Sequence, residues 1–392
     1  MTVEHGAAAS ALGYQYQTAW ALWDLLLRGP DMPDASVSIE MFDDVAWDVD
    51  GTATERIQLK HHLNAAAAIT DKGADLWRTI RVWLDDGSPT DPDGAALVLV
   101  TTALAPSDSG VFRLRPETLD SSEAERLLVT AAKESDAVGT AQTRKRFLGM
   151  PNADRIGLLS RVRLLDGSPQ VTDIDAEVRK LLTWGMPRGR EDLFMEMVWG
   201  WWNTEALAML RGNRGPVGVG EVHEQVTDIR DQFTSDRLPT LLHLADIDKA
   251  EVERLLGDRT FVSQLQLIDW PEHNLQRALI DYHRAFVHQT RWVDDDLIGL
   301  HELLNFGIEL VDEWKSEFEF MRRDLPEDAS DDALKAAGVA LLRGLLASTS
   351  IRVRERYDEA FFARGKRHEL ADQMVIGWHP HFEAALGAEV AS

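Results

Sequence analysis

The run Ala95-Ala96-Leu97-Val98-Leu99-Val100-Thr101-Thr102 limits the fold more than any other stretch of the chain. It is continuous, apolar and rich in β-branched residues, without the alternation of a half-exposed strand. A strand of this kind is buried on both faces, so its sheet must be covered on both sides. Helical patterns surround it. Leu76, Ile80, Trp83 and Leu84 make an apolar stripe over 72–85, and further helices are expected near 119–135 and 152–160. The N-terminal half therefore reads as α/β, with a central mixed sheet flanked by helices.

The rest of the chain divides by pattern. Leu12, Tyr16, Ala19, Trp23 and Leu26 recur at helical spacing over 8–28, and Gly29-Pro30 ends the run. Residues 36–48 and 54–62 read as two strands, and Asp50-Gly51 between them is a strong hairpin signal. Arg161–Leu165 suggests another short strand, followed by helices at 173–184 and 190–211. The segment 211–220 is rich in glycine and reads as a loop near a domain boundary. No Gly-Lys-Ser/Thr follows, so it is not a phosphate-binding P-loop. Beyond it the pattern is helical, at 220–233, 247–256, 272–289, 294–322, 330–348 and 351–363. The expected division is an α/β domain over 1–212 and an all-α domain over 213–392.

Composition excludes several classes. There are no cysteines, which removes disulfides, thiolate metal sites and a cysteine nucleophile, and fits a reducing cytoplasm. No apolar run approaches the ~20 residues needed to span a bilayer, and the opening residues lack the basic start and apolar core of a secretory leader. Thirteen tryptophans, many in apolar helical segments, read as core filling. The formal net charge of −25 argues against constitutive binding to DNA, unless charge is segregated or a partner supplies a basic surface. Two local basic stretches stand out. One holds Arg144, Lys145, Arg146, Arg155, Arg161 and Arg163, and the other Arg352, Arg354, Arg356, Arg364, Lys366 and Arg367. The plain reading of each is a solvated helix face.

The chemistry is concentrated in the first hairpin. On one strand Glu40, Phe42 and Asp44 share a face, and on the next Arg56, Gln58 and Lys60 do so while Ile57 and Leu59 point inward. Two acidic groups and an amide oxygen suit a hard cation such as Mg²⁺ or Mn²⁺. A neighbouring lysine can orient or deprotonate water and offset charge on a phosphodiester. Register leaves an alternative open. A strict two-residue turn at Asp50-Gly51 sets Asp43 opposite Gln58, whereas Asp44 faces it only if the hairpin carries a bulge or an odd-length turn.

This region resembles the PD-(D/E)xK nuclease superfamily, and more narrowly the DNA endonuclease domain of effectors in bacterial anti-phage defence, including Lamassu systems. The resemblance rests on four ordered blocks: Gly13-Tyr14-Gln15-Tyr16-Gln17, Ile39-Glu40-Met41-Phe42-Asp43-Asp44-Val45, Gln58-Leu59-Lys60-His61, and Leu76-Trp77-Arg78-Thr79. It implies a restriction-endonuclease-like domain in which Asp44 and Gln58 hold the metal, Glu40 assists, and Lys60 is the catalytic lysine. Gln17 stands where related nucleases carry a helical glutamate. Gln58 replaces an acidic residue of the parent superfamily. At most one of His61 and His62 can face the metal.

The C-terminal half resembles the C-terminal domains of ABC-three-component systems. The residues concerned are Arg291–Leu297, Leu310–Trp314 with Phe318, and the closing Gly365–Asp372 and Gly377–Phe382. The resemblance implies docking onto an SMC-like ABC ATPase with its small middle component, and self-association on activation. Leu300, Leu303, Leu304, Ile308, Val311, Trp314 and Phe318 suit a helical core or an oligomer seam. His368, His379 and His381 lack the spacing of a zinc site and read as structural. The combined expectation is a cytoplasmic, metal-dependent endonuclease for double-stranded DNA. The alternative is an inactive nuclease-fold adaptor.

Overall fold

The computed structural model describes residues 4–62, 67–85, 91 and 93–386. The chain forms two compact units, Met1–Met186 with Phe194–Thr227, and Pro187–Leu193 with Asp228–Ser392. The elements of the first stretch are α1 (Glu4–Arg28), β1 (Ser36–Ile39), β2 (Val45–Val49), β3 (Thr52–Lys60), α2 (Ala74–Asp85), β4 (Ala96–Thr101), α3 (Ser121–Glu134), α4 (Ala141–Gly149), α5 (Asn152–Arg161), β5 (Val162–Leu165), α6 (Val171–Leu182), α7 (Glu191–Leu210), β6 (Val217–Gly218) and α8 (Val219–Asp231). Among the described residues, six strands form one mixed sheet in the order β5-β4-β3-β2-β1-β6, flanked by helices. Strands β3, β4 and β5 run parallel, while β1 is antiparallel to both β2 and β6 and β2 is antiparallel to β3.

The apolar run that became β4 is buried along its length. Leu97 and Leu99 join a cluster with Leu76, Trp77, Leu128 and Phe147, drawn from α2, α3 and α4. Val98 and Val100, which point the other way, are equally buried. The helix of the first block, α1, packs against β1 and α6.

The Asp50-Gly51 turn has positive φ at both residues, 52° and 80°, as a two-residue hairpin of the favoured twist requires. Pairing starts at Val49 with Thr52 and Asp48 with Ala53, then shifts so that Trp47 faces Glu55. Thr54 is the extra residue of a bulge.

One expectation needs correction. Residues 36–48 are not a single strand but two, β1 and β2, paired antiparallel with Ile39 opposite Val45. Glu40 adopts φ 55°, and its N–H donates to the Asp44 carbonyl at 3.1 Å, which closes a loop over 40–44. The cause is the sequence Glu-Met-Phe-Asp-Asp. Its three carboxylates cannot follow the buried Val37, Ser38 and Ile39 into the sheet interior, so the chain turns back.

The second unit contains α9 (Lys249–Leu256), α10 (Thr260–Leu267), α11 (Glu272–Asp294), α12 (Leu300–Asp324), α13 (Asp331–Ala347), α14 (Ala360–Asp372) and α15 (Phe382–Leu386). Its described elements are helical around one core that includes Phe261, Trp292, Phe306, Phe362 and Trp378. Gly365 of α14 faces the Asp281 carbonyl and Ala285 of α11 so closely that no Cβ fits between them. The expected helix at 351–363 is absent: the backbone is irregular to Glu359 and α14 starts at Ala360. Long-range ties explain this. The Arg356 N–H donates to the Asp236 carbonyl, and Arg354 reaches Glu302 and the carbonyls of Arg237 and Leu297. The short helices α4 and α10 were not foreseen. In α4 a single large apolar side chain, Phe147, is buried beneath a polar run, so no stripe marks it. Among the described residues no helix is long and apolar enough to cross a membrane.

Candidate functional site

The 40–44 loop and the carboxyl end of β3 meet at one end of the sheet's central strands. With the bulge at Thr54, the ladder runs to Val45 opposite Ile57, and one step further sets Asp44 opposite Gln58. Both aspartates use this position. The Gln58 amide nitrogen donates to Asp44 Oδ1 at 3.2 Å and also to Asp43 Oδ1. Asp44 Oδ2 accepts the Leu59 N–H at 2.8 Å, where β2 no longer offers a carbonyl. Lys60 Nζ donates to the Gln58 amide oxygen at 3.2 Å. Gln58 is buried and Lys60 half-buried.

Arg56 braces the loop. Its guanidinium donates to the Phe42 carbonyl at 2.9 Å, and its Nε lies 3.8 Å from Asp43 Oδ2. Burial first, then the charge of Asp44, pushes the Asp43 carboxyl up to about 6, against the pull of Gln58 and Arg56. Glu40 is also shifted upward, by burial and then by Asp44, while a hydrogen bond from Gln17 and the charge of Lys60 oppose the shift. Glu40, Asp43, Asp44, Gln58 and Lys60 thus share one electrostatic neighbourhood. Glu40 and Asp44 do so from a loop, not from the face of a strand.

The first and fourth blocks of the resemblance have distinct physical roles. Gln17 of α1 holds Glu40, and Tyr16 packs its ring 4.7 Å from that of His61. His62 turns the other way to Asp75 of α2, at 3.0 Å. Burial lowers the His61 pKa from its ordinary value. Leu76, Trp77 and Thr79 are wholly buried and anchor α2, with the Trp77 ring edge-on to Phe147.

The donor set suits a hard cation in two respects. Asp43 Oδ2 and Gln17 Oε1 are buried oxygens without a hydrogen-bond donor among the described residues. Two carboxylates also crowd one spot, where burial and the charge of Asp44 raise the cost of ionising Asp43. Among the described residues no three His, Asp or Glu side chains form a metal-holding cluster, and the Gln58 amide presents its nitrogen to the two aspartates while its oxygen accepts from Lys60.

Neither basic stretch is a free cationic surface. Arg144 and Arg161 are buried and donate to backbone carbonyls, Arg155 pairs with Glu125 at 2.6 Å, and Arg146 pairs with Asp85. In the second stretch, Arg354 pairs with Glu302, Arg364 with Asp281, Lys366 with Glu369 and Arg367 with Glu313. The reading of solvated helix faces holds for Lys145, Arg146, Arg352 and Arg356, which are exposed, while Arg144, Arg155, Arg161, Arg354, Arg364, Lys366 and Arg367 are paired or bonded within the fold.

The closing motif of the second unit is likewise internal. Gln264 donates to the carbonyls of Ala371 (2.7 Å) and Ile376 (3.1 Å) and accepts the Trp378 N–H. Trp314 donates to the Gly377 carbonyl at 2.8 Å. His368 is buried, and its pKa is lowered to about 3 by burial and by Arg364 and Arg367. On α12, Leu303, Leu310 and Phe318 enter the core, while Leu300, Leu304 and Ile308 are exposed.

Residues 261–386 match the family model for C-terminal domain 7 of the ABC-three component (ABC-3C) systems. The second unit therefore contains a C-terminal domain of an ABC-three-component system. Comparison with curated proteins gives no match, and neither does comparison with solved structures.

Proposed function

We propose that the first unit is a metal-dependent endonuclease for double-stranded DNA, of PD-(D/E)xK type, and that the chain is the effector of a Lamassu-like anti-phage defence complex. The observation that carries this is the meeting of Asp44, Gln58 and Lys60 at the carboxyl end of β3, with Glu40 beside them. Asp44, Gln58 and Glu40 would hold Mg²⁺ or Mn²⁺, with Asp43 alongside. Such an ion lowers the pKa of bound water and offsets charge on phosphate oxygens. Lys60 presents its ammonium to the attacking water and to the phosphate. Gln17 orients Glu40, and Arg56 keeps the loop closed over β3.

The second unit docks the effector onto an SMC-like ABC ATPase and its small middle component. The charge of −25 keeps an isolated copy off the chromosome. Self-association on activation gathers weak DNA contacts into an effective site. The test is cleavage of plasmid DNA with Mg²⁺ or Mn²⁺, with and without the co-expressed components. Cleavage is expected to fall by about 10²–10⁴-fold in Lys60→Ala while circular dichroism stays unchanged. Cleavage that persists in both Lys60→Ala and Asp44→Ala removes the assignment.

One observation favours a second reading, a catalytically inactive adaptor with a nuclease fold. Both carboxylate oxygens of Asp44 are engaged internally, by Leu59 N–H and by Gln58. A stable complex with the ATPase, with no cleavage under any metal or partner condition, selects this reading.

A further inference from the structure

The second unit holds a cavity of about 460 Å³ between the α10–α11 junction, α13 and α14. We propose that it binds a nucleoside phosphate. The polar side of the cavity carries Arg277, Arg343 and Arg364 against a single carboxylate, Asp281. Arg364 is already committed, since its fork holds both oxygens of Asp281, at 2.6 and 3.1 Å. Arg277 and Arg343 are exposed, and neither has an ion-pair or hydrogen-bond partner among the described residues. In a chain with 66 acidic and 41 basic residues, three guanidiniums facing one carboxylate, Asp281, around one cavity leave an excess of positive charge there for an anion. The planar fork of a guanidinium fits a phosphate group.

The deep end of the cavity supplies the second observation. His368 lines it, is 1% exposed, and its Nδ1 is buried without a hydrogen-bond partner. Burial and the nearby arginines keep the ring neutral at neutral pH, so it can make one neutral hydrogen bond to a ligand without bringing charge. A buried polar atom left unpaired is costly, and a ligand polar atom there would relieve the cost. The remaining lining is largely apolar and includes Trp270, Val339 and Leu346. An indole beside guanidinium groups provides both of the contacts that a base and a phosphate require. The volume falls within the range of small-ligand sites.

The test is equilibrium dialysis of the full chain with the four nucleoside 5′-monophosphates, inorganic phosphate and adenosine, each as a separate probe. At least one monophosphate is expected to bind at least tenfold more tightly than either phosphate or adenosine. A hundredfold excess of that nucleotide over its Kd should raise the melting temperature by about 5–10 °C. Arg343→Ala and Arg277→Ala, both at exposed positions, should each weaken binding about tenfold while the unliganded melting temperature stays within a degree or so. Arg343→Lys should recover only part of the loss, because the fork is gone. Trp270→Leu should reduce the preference for nucleotide over phosphate. Absence of binding by every probe overturns the proposal, as does binding unchanged in the Arg277→Ala, Arg343→Ala double variant. Adenosine binding as well as its monophosphate overturns the phosphate assignment. A 5′-phosphorylated oligonucleotide that outcompetes every mononucleotide reassigns the cavity to a strand end.

Discussion

The two units use their distinctive residues in opposite ways. In the first, the polar residues of the motif stay at the ends of central strands with strain left in them. Glu40 sits in the left-handed region, Asp43 is hard to ionise, and buried oxygens of Asp43 and Gln17 lack donors. In the second, most charged residues of the closing motif are paired inside the fold, although His368 Nδ1 and two nitrogens of Arg367 stay unpartnered among the described residues. Arg367 is fully buried against Glu313, Arg364 clasps Asp281, and Gln264 ties together the Ala371 to Trp378 segment. Unrelieved polar groups at strand ends are the mark of a site.

Mutagenesis can break this contrast. The largest expected effect is on activity in the first unit: Lys60→Ala should lower DNA cleavage by about 10²–10⁴-fold, with unfolding in urea nearly unchanged. The contrast fails if the same change unfolds the protein. In the second unit the expectation reverses. Arg367→Met strips a buried ion pair of one partner and leaves Glu313 uncompensated, at a cost of about 3–5 kcal/mol. Urea unfolding followed by circular dichroism should show an early transition for this variant. A variant that folds normally but loses binding to the other components would give Arg367 a docking role instead.

The same difference explains what was legible in the sequence. Local signals survived intact: the doubly buried run became β4, Asp50-Gly51 became the hairpin turn, and the stripe at Leu76, Ile80 and Trp83 became α2. Long-range ones did not. Nothing local marks Thr54 as the extra residue of a bulge, so the sequence alone leaves the choice between Asp43 and Asp44 open. The outcome is that Gln58 contacts both. The break at Glu40 was hidden because glutamate rarely takes positive φ, and the surrounding residues are good strand formers. The arginine clusters misled because their partners lie far away in sequence, as with Arg354 and Glu302, or Arg364 and Asp281. The matched domain at 261–386 is the converse case: its signature was readable because a packed core constrains so many of its residues.

A smaller effect sharpens the comparison from the site side. Gln58→Glu places a third carboxylate against Asp43 and Asp44 and replaces the amide hydrogens that now bridge them. In chelator at pH 8 this should cost about 1–3 kcal/mol, because like charges would then share a buried position. Mg²⁺ should restore most of that loss if the cluster binds a cation. If the melting temperature with Mg²⁺ stays as low as in chelator, the cluster is only a structural knot like those of the second unit.

The smallest expected effect lies in the pH dependence of Asp43. Its folded pKa of about 6 lies above the ordinary aspartate value, so between those two pH values the native state binds more protons than the unfolded chain. Its stabilising contribution is therefore complete below the unfolded value and is lost as pH rises through about 6. Asp43→Asn cannot ionise, yet its amide oxygen can still accept from Gln58. The variant should match the wild type near pH 4 and exceed it by about 1–2 kcal/mol at pH 8, as chemical unfolding across that range would show. Mg²⁺ should then stabilise the wild type more at pH 8 than at pH 5, and this difference should shrink in the variant. A cation that helped both proteins equally at both pH values would be acting elsewhere, and the carboxylate pair would lose its claim as a metal site.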